Sequence, residues 1–113
     1  MKKEYTFLAD PGHSWLQVPI NDFLSLGLKN CISRCSYIDE KYVYLEEDCD
    51  AFIFLASYLK ENDSYPEIKE KFFNDRIEFL KKSNNYLFTD NKSFSEKMEW
   101  AHKFYEQNKE KFK

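Results

Sequence analysis

The chain has 113 residues, 42% of them apolar and 19% aromatic, with only 2 Gly, 3 Pro and 3 Cys. That length supplies one core and not two, and the scarcity of turn-formers predicts long regular elements and argues against disorder. The net charge of −3 is unevenly placed: residues 1 to 59 carry 5 Lys/Arg against 9 Asp/Glu and residues 60 to 113 carry 12 against 11. No basic stripe is available to neutralise phosphates, which disfavours direct nucleic-acid binding.

In chain order, Lys3 to Ala9 holds strand-forming residues and stops at Asp10-Pro11-Gly12, where Pro presets φ and Gly releases it. Trp15 to Val18 is expected to pair back as a short second strand. Pro19 then opens a short helix through Leu26 that Gly27 closes. Ile32 to Ile38 and Tyr42 to Glu46 flank Asp39-Glu40-Lys41 and read as a hairpin, since Tyr-Val-Tyr-Leu is rich in β-formers. Asp48 or Asp50 is placed to cap the next helix, about Ala51 to Lys60, in which Phe52, Leu55, Ala56 and Leu59 recur at helical spacing. Ile53, Phe54 and Tyr58 widen its apolar stripe until both flanks need cover.

The C-terminal half is expected to provide that cover. Ser64-Tyr65-Pro66-Glu67 and Ser93-Phe94-Ser95-Glu96 both fit a capping box, predicting helices over about Tyr65 to Lys82 and Phe94 to Lys111, joined by a loop from Ser83 to Asn91. The fold class expected is α+β: a small antiparallel sheet of three to four strands, packed by one apolar helix, plus two C-terminal amphipathic helices. It forms a single domain over residues 1–113, with sheet and helix in 1–62 and a helical extension in 63–113.

The longest apolar run, Ala51 to Ala56, is too short to span a bilayer, and the N-terminal residues lack the apolar stretch of a signal peptide. A cytoplasmic location with no membrane partner is expected. Cys31, Cys35 and Cys49 are an odd set without a CxxC pair and read as free thiols.

Three constellations bear on chemistry. His13 beside the Asp10-Pro11-Gly12 turn, together with Asp10, Asp48 or Asp50 or with a cysteine, is one way to build a small hydrolase or a metal-dependent enzyme. The simpler reading is a structural turn, Asp10, Pro11, Gly12, His13 and Trp15, in which His13 caps by hydrogen bonding. Glu46, Glu47, Asp48 and Asp50 are four carboxylates in five residues, near Asp39 and Glu40 at the hairpin turn. They lack the ligand alternation and central Gly of an EF-hand, so the expectation is no metal and no cofactor. Helix capping plus an acidic surface that meets a basic partner accounts for them instead. Trp15, Tyr37, Tyr42 and Tyr44 form an aromatic set that could stack bases, but only Arg34 and Lys41 lie nearby in sequence to hold a backbone.

The stretches Asp10-Pro11-Gly12-His13-Ser14-Trp15-Leu16 and Tyr42-Val43-Tyr44-Leu45-Glu46-Glu47-Asp48-Cys49-Asp50 resemble a family of short uncharacterised proteins encoded by phages and plasmids. In that family an Asp-Pro-Gly-His-Gly-Trp-Leu turn precedes a Tyr-Ser-Tyr hairpin and a Leu-Glu-Glu-Asp-Cys-Asp run. The similarity covers residues 5 to 59. Ser14 replaces a Gly of the pattern, and Cys35-Ser36-Tyr37 matches Tyr-Ser-Tyr in part. The resemblance implies a setting and no catalytic residues: small acidic proteins of mobile elements often work by stoichiometric binding, and many disable host defence. The expectation is therefore a non-enzymatic accessory protein of the anti-CRISPR kind. It would use Asp39, Glu40, Glu46, Glu47, Asp48 and Asp50 against a host protein with a basic surface, such as a nucleic-acid-guided nuclease. A small enzyme, or a non-defence adaptor or homodimer, are the alternatives.

Overall fold

The computed structural model describes residues 3–74 and 83–113. Among them, six strands form one mixed sheet in the order β5-β1-β2-β4-β3-β6. The α+β class is as expected, but the strand count is larger and both halves of the chain enter the sheet.

Strand β1 (Glu4–Ala9) turns at Asp10 to Gly12 into β2 (Ser14–Pro19), with Leu8 opposite Trp15 and Thr6 opposite Gln17. Pro19 ends the strand and begins helix α1 (Ile20–Ser25), as its fixed φ allows, and Gly27 closes the turn at φ 71. A loop then leads to β3, which is only Tyr37–Ile38, and β4 (Tyr42–Glu46) runs antiparallel between β3 and β2. Most of the predicted strand from Ile32 is loop. Its buried Ile32 packs into the core without pairing.

Helix α2 (Asp50–Asn62) lies against one face of the sheet, and nine of its residues from Asp50 to Leu59 are buried. Leu16, Val18, Val43 and Leu45 meet Ile53, Phe54 and Ala56 there, each essentially inaccessible to solvent. Helix α3 (Asn91–Asn108) covers the other side of α2 through Ala101, Phe94, Met98 and Phe104, followed by a 3₁₀ turn (Lys109–Lys111). An apolar helix sandwiched in this way satisfies the demand its sequence makes for cover on both flanks.

The C-terminal half departs from expectation at its start. Residues Glu67–Phe72 form strand β5, parallel to β1, in place of the first half of the predicted helix. The rest of that prediction, through Lys82, lies partly outside the described residues. Lys and Glu are good helix formers, but intrinsic propensity is a weak prior. Here the outer edge of β1 offers the carbonyls of Lys3 and Ala9 to the amides of Glu67 and Phe73. Ile68 meanwhile packs against the core cluster containing Tyr5, while Phe72, on the same face, stays exposed. Within the predicted loop, Asn84–Asn85 forms the short strand β6 beside β3, and Tyr86 is buried with its hydroxyl donating to the Lys29 carbonyl. Helix α3 starts earlier than Ser93 would set it: Asp90 is its cap, accepting from the Ser93 amide at 3.1 Å.

Candidate functional site

The cleft is built where two distant stretches meet at one end of the sheet. Pairing of β2 with β4 puts Trp15 opposite Glu46, and the Glu47 amide donates to the Ser14 carbonyl at 3.1 Å. The β1–β2 turn and the β4–α2 junction thereby enclose an open cleft of about 300 Å³ lined by Asp10, Gly12, His13, Glu46, Glu47 and Asp48, with Ala9, Pro11 and Ser14 completing it.

Local hydrogen bonds make the turn rigid. Oδ1 of Asp10 accepts from the amides of Gly12 and His13, both at 2.9 Å, and the Asp10 amide donates to the His13 carbonyl. The cap is therefore the Asp10 carboxylate. His13 takes part through its backbone, while its exposed imidazole lies against the Trp15 ring, 5.5 Å between centroids. On the facing side, Oε2 of Glu46 accepts from the Asp48 amide at 3.2 Å and from the Cys49 thiol at 3.4 Å, which ties down the junction. Glu47 and Asp48 remain exposed on the rim, and neither is ion-paired among the described residues.

The six carboxylates predicted to form one acidic surface are separated by the fold. Asp39 and Glu40 sit in the β3–β4 turn, at the far end of β4 from Glu46, with roughly 14 Å of strand between Tyr42 and Glu46. Burial raises the Asp39 carboxyl, but donors from the Tyr44 hydroxyl and the Lys41 and Tyr42 amides outweigh it and hold the group below its ordinary value. Asp39 is thus committed to its own turn.

Asp50 is removed from the surface altogether. It is 0% exposed, and it is not the helix cap: the residue before α2 is Cys49, which makes no side-chain cap bond. The Asp50 carboxylate instead receives the Ser33 amide at 2.8 Å, the Ser33 hydroxyl at 2.7 Å and the Ser36 hydroxyl. The Ser36 oxygen in turn accepts from the Glu46 amide at 3.1 Å. A buried carboxylate needs such donors, and these fasten the loop before β3 to the start of α2. Ser33 and Ser36 carried no signal in the sequence because their partner lies 14 or more positions away.

Cys31, Cys35 and Cys49 are free thiols. Burial first, then the charge of Asp50, pushes the Cys49 thiol up to about 12, the opposite of what a thiolate nucleophile requires. Among the described residues no three His, Cys, Asp or Glu side chains converge as metal ligands. The aromatic set occupies the sheet face away from α2, where Trp15 at 7% and Tyr44 at 2% exposure cover each other with Leu8, Tyr37, Tyr42 and Phe73. That withdraws Trp15 and Tyr44 from base stacking and leaves Tyr37 and Tyr42 half-buried.

No described helix is long and apolar enough to cross a membrane. Compared with protein-family models, curated proteins and solved structures, the chain finds no match.

Proposed function

We propose that this chain acts by stoichiometric binding, with the acidic rim of the cleft docking onto a basic protein surface. The observation that carries the reading is the convergence of the two motifs that share the phage-protein resemblance. Separated by some thirty residues, they meet in one concavity whose exposed carboxylates Glu47 and Asp48 form no ion pair among the described residues. Uncompensated like charges cost stability where they stand and are relieved by a basic partner, whose approach they also accelerate. The resemblance makes a host defence protein the first partner to test, a nucleic-acid-guided nuclease in the first instance, which would make the chain an anti-CRISPR accessory protein acting in the cytoplasm.

The experiment is to pre-incubate the protein with guide-loaded nucleases, measure DNA cleavage against molar ratio, and follow association with the inhibited enzyme by stopped flow. Inhibition should saturate near equimolar protein. Reversing Glu47 and Asp48 to Lys should slow association about tenfold or more at low salt and weaken its salt dependence. Glu46 is left intact because its carboxylate holds the junction together. Unchanged association rates with the fold intact would remove the cleft from the interface.

An enzymatic reading keeps one supporting observation: His13, Asp10 and Asp48 line the same cleft. Asp50 is lost to it, being sealed behind Ser33 and Ser36. Inhibition or turnover at far less than one equivalent, abolished by His13→Ala, would favour that reading over binding.

A further inference from the structure

We propose that the outer edge of β5 is a second binding surface, independent of the cleft, and that it takes an extended segment of a partner protein carrying carboxylates at alternate positions. The two edges of the sheet are unlike. Among the described residues one edge is β6, only 2 residues long, a length that gives an incoming strand little to pair with. The other is β5, 6 residues long and exposed over most of its length.

The ladder to β1 fixes which backbone groups face outward. Glu67 and Phe73 donate to Lys3 and Ala9 at 2.9 and 2.8 Å, so the alternate residues Glu67, Lys69, Lys71 and Phe73 address β1. The amides and carbonyls of Ile68, Glu70 and Phe72 therefore point away from the sheet. Among the described residues nothing hydrogen-bonds them. They form a preset row of donors and acceptors of the kind that strand addition uses.

The side chains say what would pair there. On the sheet face away from α2, β5 presents Lys69 and Lys71. The Lys69 ammonium reaches Glu4 at 3.4 Å but stays 68% exposed, and that of Lys71 lies over the Phe73 ring at 5.4 Å. On the opposite face, Phe72 is 74% exposed. An antiparallel strand with acidic residues opposite Lys69 and Lys71 and apolar ones opposite Ile68 and Phe72 completes both faces.

A second copy of this chain is a poorer occupant. Pairing β5 with itself through Ile68, Glu70 and Phe72 sets Glu70 against Glu70 and Lys69 against Lys71. The next register gains Glu67 against Lys71 but drops Phe72 from the ladder and opposes Lys69 with Lys69. Like charges directly opposite each other are destabilising.

The test uses the full chain and a labelled, end-blocked peptide, Val-Glu-Lys-Glu-Val-Lys, followed by fluorescence anisotropy and by amide resonances. The peptide should bind, and the amides of Ile68, Glu70 and Phe72 should shift and gain protection from exchange. N-methylation of the peptide at the first Val, which would bond to the edge, should abolish binding. N-methylation at the first Glu, whose amide would face outward, should leave it. Glu70→Pro should also abolish binding, since proline there removes only an outward amide. Lys69→Glu with Lys71→Glu should weaken binding about tenfold. The N-methyl pair keeps the proposal testable if the proline variant fails to fold. No binding at roughly 1 mM peptide, binding indifferent to the position of the methyl group, or a dimer in sedimentation that protects the same three amides would overturn it.

Discussion

Asp48 and Asp50 stand two positions apart in one acidic run and end in opposite surroundings. Asp48 is exposed at the rim of the cleft, whereas Asp50 is fully buried and takes donors from Ser33 and Ser36. The start of α2 separates them: entering a helix turns the chain by about 100° per residue, so neighbours that share a surface in a strand diverge. Acidic residues clustered in sequence therefore do not make an acidic surface. Here one side of the run is available to a partner and the other is part of the core.

Removing each carboxylate sharpens that contrast. Asp50→Ala should lower stability by about 3 kcal/mol, because it strands the buried Ser36 hydroxyl and the half-buried Ser33 amide and hydroxyl, whereas Asp48→Ala should change it by less than about 0.5 kcal/mol. Urea denaturation midpoints check both, and equal losses would mean that the buried network contributes little.

The turn offers a smaller contrast of the same kind. Asp10→Ala loses two amide acceptances at 2.9 Å and should cost about 1 to 2 kcal/mol, while His13→Ala keeps both and should cost less than about 0.5 kcal/mol. Thermal or urea unfolding of the two variants decides it. A larger loss for His13→Ala would show that its contact with Trp15 outweighs the Asp10 cap.

The smallest effect is on acid stability, through Asp39. Its folded value lies below the ordinary carboxyl value of the unfolded chain, because hydrogen bonds from Tyr44 and the turn amides outweigh its burial. Its contribution is therefore present above the unfolded value and is lost as pH falls through the folded one. Asp39→Asn should shallow the loss of stability below about pH 4. An unchanged acid limb would place the acid-sensitive carboxylates elsewhere in the chain.

Much of the first half was legible in sequence. Asp10-Pro11-Gly12 marks its turn, Pro19 and Gly27 bracket α1, and the stripe from Phe52 to Leu59 foretells a helix covered on both sides. Each of these signals lies within a few residues of its effect. In the second half the local signals point away from the fold. Ser64 to Glu67 has the spacing of a capping box, yet Glu67 begins a strand. Ser93 has it too, yet Asp90 is the cap, its carboxylate within reach of the Ser93 amide and hydroxyl.

The sequence by itself determined the α+β class, the hairpin turns and the apolar helix, because periodicity and turn chemistry act over short spans. Only the tertiary structure decided that Glu67 to Phe72 extends the sheet, that Asp50 is buried while Glu47 and Asp48 are exposed, and that the first turn meets the acidic run. Those outcomes depend on long-range partners: the open edge of β1, the serines before β3, and the register that sets Trp15 opposite Glu46. A carboxylate or a half-apolar strand is stable in more than one setting, and the partner that the fold brings to it selects which one.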